Sequence, residues 1–365
     1  MNGKRLDYLD MVKGVGIFFV VLGHIEYISN PLRVWISSYH MPLFFIVSGL
    51  LMAVKNEPAR DLGDSIKRKA RGIIIPYLWF SLAYFIIDIA NVYIIKNIDL
   101  HTFIVDTISS VTFYGMSVLW FLPAIFLANI GFLFLKKNFP DYINAVLLIA
   151  IALFSYFIQK KISGVYDSHA DSLLITSLIN FVRVFLRASI GMSFVGYAYY
   201  IRILSEKFLL NRFDFESVKV RIIEAVCGII MLLINIYLST VNGAVDMHYI
   251  ILNNVLLYYL GAFLGCYGII LILRSLPAIR IITYYGRNSL IVMACHVNFY
   301  ILYASLRIAL KIDQYVTHAK HYIFLAVTVF FVFVFSTIVI ELINRYFSFV
   351  MGKPFSLPFI KKKSA

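Results

Sequence analysis

The chain has 365 residues, of which 61% are hydrophobic and only 14% charged, and its mean hydropathy is +0.84. Soluble domains are about a quarter charged, so this composition excludes an ordinary soluble protein and indicates a polytopic membrane protein. The formal net charge of +14 suits nucleic acid as well as anionic lipid. Its distribution along the chain favours orientation in a bilayer and excludes a nucleic-acid partner.

Apolar runs long enough to cross a bilayer predict an all-α integral membrane protein, with about ten transmembrane helices in one bundle. The first two runs are joined by a short turn at Ser29-Asn30-Pro31. Residues 1–350 are predicted to form the transmembrane domain, and residues 351–365 a short basic cytoplasmic tail. No cleavable signal peptide is apparent, because the first run contains Lys13 and ends without a small-residue cleavage site. The runs lie at about 8–27, 33–54, 73–95, 118–135, 142–159, 176–200, 220–241, 249–273, 284–309 and 322–346.

Lysine and arginine residues are unevenly divided between the two sides of the predicted membrane. With the N-terminus cytoplasmic, 23 of them fall in inside segments and six in outside segments. This is the bias expected of cytoplasmic loops, and it predicts an even number of spans with both termini inside. We therefore expect a multi-pass protein of the cell membrane, with a basic face against anionic lipid headgroups.

Three ionisable residues of the first two runs are costly to place in lipid, which makes them functional candidates. Lys13 and His24 lie on the first run, and His40 lies near the outer start of the second. Lys13 and His24 are eleven residues apart, almost a whole number of helical turns, so they share one face about 16 Å apart. That is about half the thickness of the hydrocarbon core. The arrangement suggests a path along the helix for a polar substrate.

Other polar residues lie deep in predicted spans. Arg183 and Arg187 are one turn apart on the sixth run, and Asp88 of the third run is a candidate partner for one of them. They form either an ion pair that fixes helix packing or a polar lining that receives a sugar. Gly261 and Gly265 predict a close helix contact. The three cysteines stand singly, so no metal site is expected.

Several motifs resemble those of the membrane acyltransferase-3 family. In its first helix a basic residue is followed after ten residues by histidine, often introduced by Asp-x-x-Arg; here Asp10, Lys13 and His24 fill that frame, with lysine where arginine is commoner. The resemblance covers nearly the whole chain and is nearest to the sugar O-acetyltransferase branch that includes fucose 4-O-acetylase-like proteins. Further matches are His40-Met41-Pro42-Leu43-Phe44-Phe45-Ile46-Val47-Ser48-Gly49, Arg68-Lys69-Ala70-Arg71 before Ile75-Pro76-Tyr77, Leu119-Trp120-Phe121-Leu122-Pro123-Ala124, and Gly286-Arg287-Asn288-Ser289-Leu290 with His296.

The resemblance implies a catalytic role for His24, Lys13 and His40. His24 would act as general base toward an acceptor hydroxyl, since the imidazole pKa of about 6.5 lies near working pH, or would accept the acyl group itself. Lys13 would contact the acyl donor, although snorkelling to the interface is the alternative. His40 would orient His24 or bind the acceptor; a structural hydrogen bond is the alternative.

The implied donor is a cytoplasmic acyl-CoA, in the first place acetyl-CoA, with no permanently bound cofactor. Its polyanionic head would need several cations, which Lys13, Arg68, Lys69 and Arg71 could supply. Plain positive-inside anchoring explains the last three equally well. The acceptor would be a cell-surface glycan or a lipid-linked sugar. Candidate residues for binding it are Asp88, Arg183, Arg187, His296 and Trp120.

The sequence thus predicts a membrane-bound O-acyltransferase, and two other classes stay open. One is a glycan or lipid translocator of a polysaccharide-export system, in which embedded charges line a path without covalent change. The other is a non-catalytic scaffold of a polysaccharide-synthesis complex, in which substitutions at His24 or Lys13 are harmless. Mass spectrometry of the surface polysaccharide separates enzyme from translocator, because only the enzyme adds an acyl mass.

Overall fold

The computed structural model describes residues 6–169, 172–207, 217–313 and 321–354, and this part of the chain is almost entirely helical. Short 3₁₀ helices cover Glu57–Ala59, Ser117–Trp120 and Ser348–Met351, and a π-helical turn covers Asn91–Ile95. The α-helices are α1 (Asp7–Gly23), α2 (Asn30–Ser37), α3 (His40–Val54), α4 (Leu62–Ala90), α5 (Leu100–Val111), α6 (Phe121–Asn138), α7 (Asp141–Ser168), α8 (Leu173–Ser205), α9 (Val218–Asn242), α10 (Val255–Ser275), α11 (Arg280–Arg287), α12 (Ser289–Cys295), α13 (Ile301–Asp313) and α14 (His321–Tyr346).

Within the described ranges, eight helical stretches are long and apolar enough to cross a membrane. The predicted all-α, multi-pass membrane fold is therefore confirmed. The total of ten spans and the orientation of the termini stay predictions, and most of the predicted basic tail lies outside the described residues. The eight stretches are Asn30–Val54, Leu62–Ile95, Ser117–Asn138, Asp141–Ser168, Leu173–Ser205, Val218–Asn242, Val255–Ser275 and Ile323–Tyr346.

The other two predicted spans take different forms. The first run becomes α1, which has 17 residues and so lies at the lower limit for crossing a bilayer. The ninth run, predicted as one helix over 284–309, is divided among α11, α12 and α13. Tyr300, the last residue before α13, has a left-handed conformation with a φ of 58°. This conformation is unfavourable inside a right-handed helix, which accounts for the break before α13.

The second predicted run is also interrupted, between α2 and α3. The break falls at Ser38 and Tyr39, and α3 begins at His40 with Pro42 in its first turn. Proline has no N–H to bond the Ser38 carbonyl and is tolerated in the first turn of a helix, so it favours a fresh helix start here. The break sets His40 at the first position of a helix.

Two long helices are polar inside and apolar outside, the reverse of a soluble protein. On α9 the buried residues are Glu224, Gly228, Asn235 and Ser239, whereas Leu233 is 60% exposed. On α7 the buried positions recur nearly every fourth residue, at Asn144, Leu148, Ala152, Ser155 and Gln159. Large apolar side chains face outward because lipid tails, unlike water, solvate them well. The pattern independently supports a membrane environment.

The described residues cluster into two compact units. The first is drawn from Met1–Leu62, Leu127–His169 and Phe185–Ser289, and the second from Gly63–Phe126, Ala170–Val184 and Leu290–Ala365. In the first unit α9 packs along α10, and α1 packs against α3, α10 and α11. In the second unit α13 packs against α14.

Glycines bring helices of the first unit into backbone contact. The predicted contact at Gly261 and Gly265 is present, since Asn235 Nδ2 donates to the Gly261 carbonyl at 2.9 Å and its side chain lies against Gly265. A Cβ added at Gly286 of α11 would collide with the Asp10 carbonyl of α1. Small residues at such crossings allow the close approach that drives helix association in membranes.

Gly286→Ala should therefore destabilise the first unit and lower activity. The added methyl group must push α11 away from α1, and overpacking of this kind typically costs about 1–3 kcal/mol. Gly72→Ala is the matched control, because nothing lies within 4 Å of a Cβ at Gly72. Thermal unfolding of both variants in the same detergent measures the difference. Equal melting temperatures would contradict the α1–α11 contact.

Candidate functional site

An ion cluster joins α1 to α11 at the end of α1 that carries Lys13. Lys13 Nζ lies 2.7 Å from Asp10 Oδ1. Arg287, the last residue of α11, approaches the other Asp10 oxygen with Nε at 3.1 Å and Asp7 Oδ1 with Nη2 at 3.0 Å. The Asp10 side chain is only 7% exposed, so its charge must be compensated. Asp10 thus fixes both cations at once.

The face of α1 between Lys13 and His24 points into the protein. Ile17 and Val20 lie on this face one and two turns beyond Lys13, and they are 0% and 3% exposed. Phe18, on a different face, is 39% exposed. A helix in lipid buries the face that contacts other helices, so Lys13 and His24 belong to the protein-facing side.

His24 follows the last residue of α1 and is itself exposed. Its Nδ1 lies 2.7 Å from the Val20 carbonyl oxygen, which can only accept, so Nδ1 carries the proton. In the neutral ring Nε2 is then the basic nitrogen. A hydrogen bond that fixes the tautomer and orientation of an imidazole is what a general base or a nucleophile requires.

His40, the first residue of α3, has the same arrangement in a half-buried position. Its Nδ1 donates to the Ile36 carbonyl at 2.8 Å, so Nε2 is again the basic nitrogen.

The turn that follows His24 is held by Arg33, whose Nη2 donates to the carbonyls of Ile25 and Glu26 at 3.1 and 3.0 Å. Both histidines belong to the first unit.

A buried amide fixes the helix break that precedes His40. Asn235 Oδ1 accepts from Trp35 Nε1 at 2.8 Å, and Asn235 Nδ2 donates to Ser38 Oγ at 3.0 Å. Asn235 is 0% exposed, and a buried amide is stabilised only when it is hydrogen-bonded. The α2–α3 junction is thereby tied to α9.

The predicted polar lining is distributed over several places. Asp88 bonds not to an arginine but to Asn91 of its own segment, whose Nδ2 donates at 3.2 Å. Arg183 Nη1 donates to Asn180 at 3.2 Å. Arg187, in the first unit and 1% exposed, donates from Nε to the His248 carbonyl at 2.6 Å. The expected pairing of Asp88 with one of these arginines is wrong, because Asn91, one turn away, supplies the hydrogen bond to Asp88.

The remaining predicted residues lie in the second unit. His296 is fully buried, and its Nδ1 donates to the carbonyls of Val292 and Met293. Trp120 is also buried, with its ring edge-on to Phe121. The substrate roles of His296 and Trp120 stay predictions. Arg68 and Arg71 are exposed and Lys69 half-buried on the first turns of α4.

Asp7 and Asp10 are the site residues whose function the sequence did not assign. Asp10 and Arg287 each lie in a family motif, but their pairing across 277 positions gives no local signal in the sequence. The local signal for this cluster is the spacing of Asp10 and Lys13, two opposite charges three residues apart inside an apolar run.

Among the described residues, no group of three or more histidine, cysteine or acidic side chains could hold a metal ion.

A family model described as an acyltransferase domain matches residues 6–345. No curated protein and no solved structure gives a significant match to the chain.

Proposed function

The chain belongs to the acyltransferase-3 family and is a membrane acyltransferase; from that premise we propose that it transfers an acetyl group from cytoplasmic acetyl-CoA to a sugar hydroxyl. The acceptor in this proposal is a cell-surface glycan or its lipid-linked precursor, and the membrane is the cell membrane. The single observation that carries the proposal is the protein-facing side of α1, with Lys13 near one end and the orientated imidazole of His24 at the other.

In the proposed reaction His24 Nε2 takes the proton from the acceptor hydroxyl. The hydroxyl oxygen attacks the thioester carbonyl, the carbon–sulfur bond breaks, and the leaving thiolate receives the proton from the imidazolium. The Val20 carbonyl supports this role, because its bond to Nδ1–H stabilises the charged ring while Nε2 holds the transferred proton. An acyl-imidazole formed at Nε2, followed by transfer to the hydroxyl, uses the same atoms in two steps.

Lys13 serves the donor side of this proposal. Asp10 holds the Lys13 ammonium in position at one end of the α1 face, where a phosphate or carbonyl oxygen of the donor would meet it. Arg68, Lys69 and Arg71 of α4 are further proposed contacts to the phosphates of the donor. Exposed arginines match phosphate geometry well because their planar guanidinium groups can donate two parallel hydrogen bonds.

Deleting the protein from its host tests the reaction class. The acyltransferase proposal requires the surface polysaccharide to lose about one acetyl mass per modified residue while its amount stays near normal. Mass spectrometry of the purified polysaccharide measures both. Loss of export with no change in residue mass would contradict the proposal and favour a translocator.

Trapping the protein with labelled donor distinguishes the two chemical routes. Purified protein is mixed with labelled acetyl-CoA in the absence of acceptor and then quenched. Label on the wild-type protein that is missing from His24→Ala indicates the acyl-imidazole route, and an unlabelled but active protein indicates the general-base route.

A further inference from the structure

The segment between α9 and α10, residues 243–254, is a folded loop. Asp246 and Ile251 exchange both backbone hydrogen bonds at 2.8 Å, which closes a short antiparallel bridge. Asn253 Nδ2 donates to the carbonyls of Asn242 and Ala244, each at 2.8 Å. This density of bonds gives the loop one defined shape.

The tip of the loop presents a carboxylate beside an exposed aromatic ring. Asp246 Oδ1 accepts from the backbone N–H groups of His248 and Tyr249 at 2.7 and 3.3 Å, and no described residue donates to Oδ2. Tyr249 is 44% exposed, and its ring lies 4.4 Å from that of His248. Met247 and Ile250 on either side are buried and anchor the tip.

A buried arginine holds this tip from below. Arg187 Nε donates to the His248 carbonyl at 2.6 Å, while the Arg187 side chain is among the largest fully buried ones described. Burying a guanidinium is costly and often adds little net stability. The bond from Arg187 Nε to the His248 carbonyl fixes the backbone of the loop tip at His248.

The loop lies beside the catalytic candidate. The loop follows α9, which packs against α2 and is tied to it by the bond from Trp35 Nε1 to Asn235 Oδ1. Arg33 of the same α2 donates to the carbonyls of the turn that follows His24. The loop and His24 both belong to the first unit, and a molecule seated on the loop would lie on the His24 side of it.

From this geometry we propose that the 243–254 loop is the acceptor subsite, which binds a pyranose ring through Asp246 and Tyr249 while Arg187 fixes the position of the loop. The apolar C–H face of the sugar packs on the Tyr249 ring, and a hydroxyl neighbouring the acylated one donates to Asp246 Oδ2. Amphipathic aromatic rings and a few fixed polar groups are typical of sites that orient polar ligands. The proposal rests on the proposed acyltransferase function.

Steady-state kinetics of the full chain in nanodiscs test the subsite. The probes are labelled acetyl-CoA and polysaccharide prepared from the deletion strain. Asp246→Asn keeps an oxygen for the two backbone N–H groups but loses the charge, and Tyr249→Ala removes the ring. Each should raise the apparent KM for polysaccharide roughly tenfold or more, as expected when a hydrogen bond to a charged group or a ring contact is lost. The KM for acetyl-CoA should change less than twofold.

Matched controls exist for both substitutions. Asp99→Asn alters a carboxylate that accepts the Thr102 N–H at 2.7 Å in the same manner, and Tyr237→Ala removes a ring that is 66% exposed on α9. Both controls should leave both constants unchanged. The subsite is overturned if Asp246→Asn and Tyr249→Ala leave the KM for polysaccharide unchanged, or if they raise the KM for polysaccharide and the KM for acetyl-CoA equally. Either result leaves the proposed acyltransferase function intact. Absence of transfer by folded wild-type protein overturns the acyltransferase function itself.

Discussion

His24→Ala should lower acylation of the surface polysaccharide by a factor of about 10² to 10⁴, the contribution of a positioned general acid–base. If the ring instead carries the acyl group, the loss should be at least as large, because the covalent route is removed. Protein level in the membrane should stay near that of the wild type, since His24 is exposed at the end of α1 and its bond to the Val20 carbonyl lies within its own helix. Mass spectrometry of polysaccharide from cells expressing each variant measures the effect.

His169→Ala provides the control for this result. His169 follows the last residue of α7 and bonds through Nδ1 to the Val165 carbonyl at 3.1 Å, the arrangement that His24 has after α1. The His169 substitution removes the same kind of hydrogen bond at a helix end, but it alters no group that the proposed reaction uses. Full acylation in the His24 variant, or equal losses in the two variants, would remove His24 from the mechanism.

Asp10→Ala should lower both the stability of the protein and its activity. Asp10 is the common partner of Lys13 and Arg287, and its loss leaves the Lys13 ammonium, 23% exposed, without this counter-ion. Losing a hydrogen-bonded charged group costs about 1.5–3 kcal/mol, and the partial exposure of Lys13 and Arg287 places the cost here rather than at the higher value of a fully buried pair. Donor binding should weaken as well, because Lys13 is then no longer held at the end of α1. Thermal unfolding and the KM for acetyl-CoA measure the two effects.

Asp7→Ala tests whether the stability of this cluster depends on the buried carboxylate of Asp10 or on any negative charge beside Arg287. Asp7 pairs with the same arginine as Asp10, but its side chain is 48% exposed. Exposed ion pairs contribute less than about 1 kcal/mol, so this variant should unfold nearly as the wild type does. A loss of stability equal to that of Asp10→Ala would show that Asp10 is not the central residue of the cluster.

The sequence predicts the features that depend on local pattern. Long apolar runs identify the spans, and the spacing of Lys13 and His24 places both on one face of α1, which the burial of Ile17 and Val20 identifies as protein-facing. These features follow from helical periodicity and from the cost of polar groups in lipid, which can be evaluated within about twenty residues of chain.

Features that depend on distant partners are not predictable in this way. Hydropathy alone gives one helix over 284–309, whereas the chain breaks after Arg287, where α11 packs on α1 and the arginine meets Asp7 and Asp10. The need to compensate buried charges predicts an arginine partner for Asp88, yet an asparagine one turn away supplies its hydrogen bond. Arg187 contacts a backbone carbonyl in the 243–254 loop, and because every residue type has such a carbonyl, the sequence does not indicate this contact.

Transfer of label by the purified protein tests the central claim most directly. Wild-type protein in nanodiscs is given labelled acetyl-CoA and polysaccharide from the deletion strain, and ester-linked label in the polysaccharide is followed with time. We expect label to accumulate in proportion to the amount of protein, and His24→Ala to reduce its rate to near background. Folded wild-type protein that leaves the polysaccharide unlabelled, or a His24→Ala variant that labels it at the full rate, would contradict the account.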